Sequence, residues 1–379
     1  MKKFVKLSLA AAVASTGFVS ANAGALEDAI KNTTIGGYAT YRYDDRTIDN
    51  LNDGGASFSN STNNRHKVVL AVISKINDDL SYTYAGAVAS TSDTTTSSVD
   101  YMGGQLHSVY SYFTYTGIQN LTLNAGQQTI DTPFTDTYDD IGETQEGTGL
   151  TGAYNAGPVT VVAGFMNQNK LTGEGYTATD AVNSADLYVV AAKGKVANVA
   201  LDVTAVDLED TAEGFSAGAS TSFDVDGVKV SPYARYTTLE LDGGNENTLW
   251  FVGAKAAMGK LSGNISYTST ANDGGGVAFD DDAASVNQGW GLNLNTDGAT
   301  GNMTKLNLGY ALTANTSIAI NHNMLTNDTT AVDVDSEETF GQLTWKPSKN
   351  FYAYLRYGTV ETDGADDAQR GRVHMTYKF

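Results

Sequence analysis

Apolar and polar residues alternate with a period of two through most of this chain. Phe351, Ala353, Leu355 and Tyr357 share one face of a segment whose other face is Tyr352, Tyr354 and Arg356. Leu306, Leu308, Tyr310 and Leu312 oppose Lys305, Asn307 and Gly309, and Leu121, Leu123 and Ala125 oppose Thr122, Asn124 and Gly126. A period of two places alternate side chains on opposite faces of a β-strand. Segments of this kind recur to the C-terminus, separated by turn residues, and predict an all-β chain.

The separators alternate in length. Short ones fall at 77–79, 117–120, 155–158, 194–197, 224–227, 258–260, 313–316 and 346–350. Long polar stretches lie between them at 44–64, 91–104, 129–147, 168–184, 207–214, 240–247, 271–302, 326–337 and 361–369. Eight short turns and nine long loops join 18 strands, with Trp290–Leu294 as a candidate for an extra half-strand. Short turns on one side, long loops on the other and an even strand number describe a transmembrane antiparallel up-and-down β-barrel. In hydrocarbon every backbone donor and acceptor must be paired, so a sheet that spans the membrane has to close.

The N-terminus reads as an export signal rather than as part of the fold. Lys2, Lys3 and Lys6 precede an apolar run over Leu7–Val13, and Ala21-Asn22-Ala23 is a small-x-small cleavage pattern. Three segments are expected: a cleaved signal over 1–23, a short periplasmic lead-in over 24–33, and the barrel over 34–379. Cleavage leaves 356 residues and moves the formal charge from −20 to −23, because three lysines leave with the signal.

Composition agrees with this reading. Forty glycines, four prolines and 21 tyrosines suit a turn-rich sheet, and there is no cysteine. With 41% hydrophobic and 17% charged residues, the apolar side chains are expected on alternating positions rather than in a central core. Aromatics at Tyr38, Tyr41, Tyr43, Tyr110–Tyr115, Trp250, Phe251 and Trp345 are expected in girdles at the headgroups. The acidic balance excludes nucleic acid, whose phosphates need Lys and Arg. Val373, Met375, Tyr377 and the terminal Phe379 alternate with Arg372, His374, Thr376 and Lys378. Met375, Tyr377 and Phe379 therefore read as a lipid-facing signal for the barrel-assembly machinery, or more plainly as a final amphipathic strand.

About eight strands fill a barrel with side chains, whereas 16 to 18 leave an aqueous lumen. A channel for ions and small hydrophilic solutes follows, unless a loop folds inward. The third loop, 129–147, is the expected constriction: it carries Asp131, Asp136, Asp139, Asp140, Glu143 and Glu146 and no Lys or Arg. The whole span Ile76–Asn169 lacks both. Carboxylates in a confined passage enrich cations; in a solvated outer loop they would instead bridge to lipopolysaccharide through divalent ions. Arg42, Arg235, Arg356 and Arg372 fall on polar strand faces. Opposite an acidic loop they set up a transverse field that orients dipolar solutes, and each equally suits a lumen salt bridge.

At this point the residues resemble a known family. Leu26–Lys31 followed by a Gly-rich first strand ending Tyr41-Arg42-Tyr43-Asp44, the His66-Lys67 strand opening, and Gly126-Gln127-Gln128 entering Thr132-Pro133-Phe134 are similar to the major outer membrane porin of campylobacters and relatives. The last feature is shared with OprD-like porins. The resemblance implies an 18-stranded homotrimer in the outer membrane of a Gram-negative bacterium. It further implies a loop-3 constriction, cation preference and a calcium ion on constriction carboxylates such as Asp136, Asp139 and Asp140.

Other chemistry is poorly supported. Gly214-Phe215-Ser216-Ala217-Gly218 matches a hydrolase elbow, which needs a strand-to-helix turn, but here it opens a small-residue strand. His66, His107, His322 and His374 have no Ser-Asp neighbours. Acidic runs at Asp333, Asp335, Glu337 and Glu338 and at Asp273 and Asp280–Asp282 fit weak surface divalent binding, but the first lacks the glycine of an EF-hand at its sixth position. A surface adhesin or structural barrel is the alternative function, and a barrel enzyme the lesser one.

Overall fold

In a computed structural model the chain is described over residues 31–48, 61–93, 107–137, 141, 144–171, 184–279, 283–294, 300–328 and 333–379. The strands are β1 (Thr33–Ile48), β2 (Ser61–Lys75), β3 (Leu80–Asp93), β4 (His107–Ile118), β5 (Leu121–Thr129) and β6 (Glu146–Ala156). They continue as β7 (Val159–Asn169), β8 (Leu187–Val196), β9 (Val199–Leu208), β10 (Ala212–Ser220), β11 (Phe223–Val225) and β12 (Val228–Leu241). The series closes with β13 (Glu246–Met258), β14 (Leu261–Asn272), β15 (Thr300–Ala311), β16 (Thr316–Asp328), β17 (Asp333–Ser348), β18 (Phe351–Thr362) and β19 (Ala368–Lys378).

Every neighbouring pair is antiparallel, and β1 pairs with both β2 and β19, from Tyr38↔Lys378 to Ile48↔Ala368. The sheet is therefore a closed barrel with no edge. The 19 segments fill 18 positions, because β10 and β11 are halves of one strand, both paired with β12. The break lies opposite Pro232. Its carbonyl accepts from Thr221 N–H (3.1 Å), but proline has no N–H to return, so the ladder lapses for two residues. At the chain end the N–H and carbonyl of Phe379 pair with those of Gly37 (3.0 and 3.1 Å). A Cβ on Gly37 would lie 3.0 Å from the Phe379 ring and clash with the Val69 carbonyl.

All eight short turns form as expected. The β11–β12 hairpin turns on Asp226 and Gly227, both at positive φ (52° and 82°), which marks a two-residue type I′ turn. Four of the nine long loops shrink to five residues or fewer. Strand pairing leaves only 209–211, 242–245, 329–332 and 363–367 between strands. Above the hydrocarbon both strand faces meet water, so polar residues continue the ladder. One outward row there crosses five strands: Tyr188↔Asp207, Asp207↔Glu213, Glu213↔Glu240 and Glu240↔Glu246 are direct partners. All four carboxylates are exposed.

The outward face is apolar through the membrane band, as Val190, Leu201, Val252, Ile265, Leu308, Ile320, Leu355 and Tyr377 illustrate. The expectation of no central core needs correction. Inward residues of β8, β9, β12 and β13, namely Leu187, Val189, Val206, Leu208, Leu239, Leu249 and Phe251, are buried in one cluster with Met303 and Leu325. Four of the girdle aromatics belong inside as well. Phe251 joins that cluster, Tyr38 and Tyr110 pack on a smaller one with Val69, Ala85, Ala87 and Val109, and Tyr112 lines a cavity within the barrel. Strand alternation requires this: Trp250 points outward to Tyr267 (5.7 Å), so Phe251 must point inward.

Candidate functional site

The inner cluster is the seat for two loops that fold into the barrel. From loop 3 (130–145), Ile130 and Phe134 enter it; from loop 7 (273–299), Val277, Phe279, Leu292 and Leu294 do. The loops also bind each other. Phe279 N–H donates to the Phe134 carbonyl (2.7 Å), Ser285 N–H to the Pro133 carbonyl (2.9 Å), and Gln145 Nε2 to the Phe279 carbonyl. The Phe134 and Phe279 rings lie 6.1 Å apart. A Cβ at Gly214 would meet the Phe134 ring at 2.8 Å, so β10 needs glycine there. Inward folding of loop 3 was expected, but that of loop 7 was not. Trp290–Leu294 is not a half-strand: Gly289 N–H donates to the Leu292 carbonyl (2.8 Å), which makes a tight loop tip inside the barrel.

That tip is held by charge. Glu338, on the inward face of β17, is 1% exposed. Its Oε1 accepts from Trp290 N–H (2.6 Å) and its Oε2 from Gly291 N–H (2.7 Å), and Asn323 Nδ2 donates to Oε1. Arg370 Nη1 donates to the Trp290 carbonyl (3.0 Å), and Lys305 Nζ to the Gln288 carbonyl (2.7 Å). The guanidiniums of Arg356, Arg370 and Arg372 lie 5.0, 4.9 and 5.8 Å from the Trp290 ring. Phe340 meets the same ring edge-on at 5.2 Å.

Around this tip the inward faces of β1, β2, β18 and β19 form a basic wall. Arg356 faces Arg372, Arg372 faces Asp44, and Arg42 faces both His374 and Arg65 across neighbouring strands. Arg65 Nη2 donates to Asp44 Oδ2 (2.8 Å) and Arg372 Nε to Asp44 Oδ1. Arg42 Nε donates to His374 Nδ1 (3.2 Å), and Tyr354 stacks on that imidazole at 4.8 Å. Arg356 Nε and Nη2 both donate to Gln342 Oε1 (3.0 and 2.8 Å). Arg235 stands apart on β12, bound to Asp202 (2.9 Å) and to Ser216 Oγ (2.8 Å). All four arginines singled out from the sequence thus point inward, and Arg235 and Arg372 take part in ion pairs. Arg65 and Arg370 belong to the same wall and share its alternation.

The acidic residues of loop 3 are more dispersed. Asp131 is exposed and lines a cavity of about 600 Å³ together with Tyr112, Asn124, Gln128 and Lys193. Asp136 is half-buried, its N–H donating to Gln145 Oε1 (3.2 Å). Glu146 is buried at the start of β6, with Oε1 accepting from Thr144 Oγ1 (2.6 Å). Asp139, Asp140 and Glu143 lie outside the described residues, as do Ala21 and Ala23 of the cleavage pattern. Of the expected calcium ligands only Asp136 is described, one carboxylate where calcium takes six to eight oxygens. Among the described residues no group of three or more His, Asp and Glu converges on a metal position. The loop-8 run is divided by strand alternation: β17 turns Glu338 inward, while Glu337 faces Glu361 on the outer side. Ser216 sits mid-strand in β10, hydrogen-bonded to Arg235 and Thr237, and not on a strand-to-helix turn. Met375, Tyr377 and Phe379 face outward and are exposed.

The loop-7 anchors escape a sequence reading that seeks alternation alone. Their signal is the strand that is apolar on both faces, as in Leu187–Ala192 and Leu249–Val252. Lipid accounts for one face only, and the other needs a protein partner.

The same architecture is found in solved porin structures. Pseudomonas aeruginosa OpdQ superimposes with a TM-score of 0.75 at 15% identity, covering 92% of this chain and 99% of that one. Pseudomonas aeruginosa OccK5 (OpdH) gives 0.74 at 12% identity over 92% and 98%. Acinetobacter baumannii OccAB4 gives 0.68 at 11% identity, again over 92% and 98%. At these identities the likeness establishes the fold. No curated protein matches the chain in sequence. The family model of the Campylobacter major outer membrane protein matches residues 1–379, and with the closed 18-position barrel around it, the chain belongs to that family of Gram-negative outer-membrane porins.

Proposed function

We propose that the barrel passes ions and small hydrophilic solutes passively, with a preference for cations, through a lumen whose charges are segregated. The observation that supports this most is the separation itself. The span Ile76–Asn169, which supplies β3–β7 and loop 3, has no Lys or Arg, whereas the wall of β1, β2, β18 and β19 carries Arg42, Arg65, Lys67, Arg356, Arg370 and Arg372. Opposed rows of charge create a transverse field that aligns dipolar solutes and disfavours apolar ones. The basic wall is partly neutralised by Asp44 and Glu338. The loop carboxylates, with their net negative charge, then govern which ion enters. Calcium held by Asp136, Asp139 and Asp140 would offset part of that charge and lower the cation preference.

Assembly as a homotrimer, with outward carboxylates bridged to lipopolysaccharide by divalent ions and Phe379 recognised by the assembly machinery, completes this reading. The experiment is single-channel recording in a planar bilayer under a KCl gradient. The reversal potential should show cation preference, and Asp136→Asn, Asp139→Asn and Asp140→Asn together should reduce it without changing the heat-modifiability of the barrel. A native reversal potential toward chloride would mean that the basic wall, not loop 3, sets selectivity.

A further inference from the structure

Loop 7 brings a single large aromatic to the basic wall, at Trp290. Its ring is flanked by three guanidiniums at 4.9 to 5.8 Å, and with Arg356, Lys305, Lys255 and Lys229 it lines a cavity of about 600 Å³. The tip is built to hold the ring there. Glu338 fixes two successive backbone N–H groups, Arg370 holds the carbonyl between them, and both flanking glycines leave room for the ends of those two side chains. A Cβ on Gly289 would meet Glu338 Oε1 at 2.4 Å, and one on Gly291 would meet Arg370 Nη1 at 2.0 Å. The indole N–H, by contrast, has no hydrogen-bond partner among the described residues. It is the ring, with the three guanidiniums around it, that the wall contacts.

We infer that Trp290 is a selectivity-determining residue of the channel: its ring covers the arginine wall, which lowers anion passage and narrows the lumen. This rests on the channel reading above. A guanidinium stacked on an aromatic face is attracted to the ring quadrupole and shielded from solvent on that side. An ion in the lumen then meets an apolar plane in front of the three guanidiniums, of which Arg372 is also paired with Asp44. Loop 3 contributes negative charge to the passage, and loop 7 masks positive charge. Both favour cations, by different physics.

The test compares the native chain, Trp290→Ala, Trp290→Phe and Gly291→Ala in planar bilayers under a KCl gradient, each verified as a heat-modifiable folded barrel. Trp290→Ala is expected to raise unitary conductance and lower the K⁺/Cl⁻ permeability ratio by about twofold or more, since the uncovered charges bear directly on permeant ions. Trp290→Phe keeps a ring face and should remain close to native. Gly291→Ala pushes Arg370 off the Trp290 carbonyl, which loosens the tip without altering the ring, and should shift in the direction of Trp290→Ala, which keeps the inference testable if that variant fails to fold. Native values for both Trp290→Ala and Gly291→Ala would overturn the inference. So would a Phe variant as shifted as the Ala variant, because the N–H would then be the active feature. A native chain that forms no channels would overturn the channel reading itself.

Discussion

Glu338→Gln isolates the electrostatic anchor of loop 7, because it removes charge and keeps shape. In the native barrel the buried carboxylate accepts from two adjacent backbone N–H groups at 2.6 and 2.7 Å and from Asn323. A glutamine offers one acceptor and turns an NH₂ group toward the other N–H. Two charge-assisted bonds, worth about 1.5–3 kcal/mol each, are replaced by one neutral bond of about 1 kcal/mol, so the tip is weakened by roughly 3 kcal/mol. At about 1.4 kcal/mol per tenfold, the opening equilibrium of the tip rises about a hundredfold. The barrel itself should be unaffected, since its closure rests on strand pairing. Trp290 and Phe279 are chymotryptic sites, so limited chymotrypsin digestion of the folded barrel reads the opening directly, and open-channel current noise reads it independently. Faster cleavage within loop 7 and added noise are expected, at an unchanged heat-modification temperature. Native cleavage rates and quiet currents would refute the idea that Glu338 holds the tip.

Phe134→Ala should loosen both inward loops at once, because the ring is fully buried against Phe279 and Gly214. The loss is about 3–5 kcal/mol by analogy with buried Phe truncations, and faster hydrogen exchange at the Phe279 and Ser285 amides would report it; unchanged exchange would mean that the loops fold independently. Glu213→Gln with Glu240→Gln should stabilise the barrel by about 0.2–1 kcal/mol per relieved contact at low ionic strength, as the row sets like charges directly across from one another. The gain should disappear in about 1 M salt, where the screening length falls to about 3 Å. A gain that persists in salt would point to strand propensity rather than charge.

How far the chain could be read depended on which partner each face has. Lipid and water are uniform partners that impose a simple rule on every strand. Alternation such as Leu306 to Leu312, punctuated by eight short turns, was therefore enough for strand count, closure and the facing of Arg42, Arg235, Arg356 and Arg372. Where strands leave the hydrocarbon that rule lapses. Polar stretches at 207–214 and 240–247 looked like loops because nothing local distinguishes a solvated strand from one. The lumen is different again, since its contents are chain segments distant in sequence. That Phe134 meets Phe279 and that Glu338 reaches Trp290 across 48 positions depend on closure, and that Phe251 faces a loop rather than headgroups depends on closure together with alternation. Only closing the sheet brings those residues within hydrogen-bonding and packing distance. Local pattern determined that this chain is a wide barrel, and tertiary structure decided what narrows it.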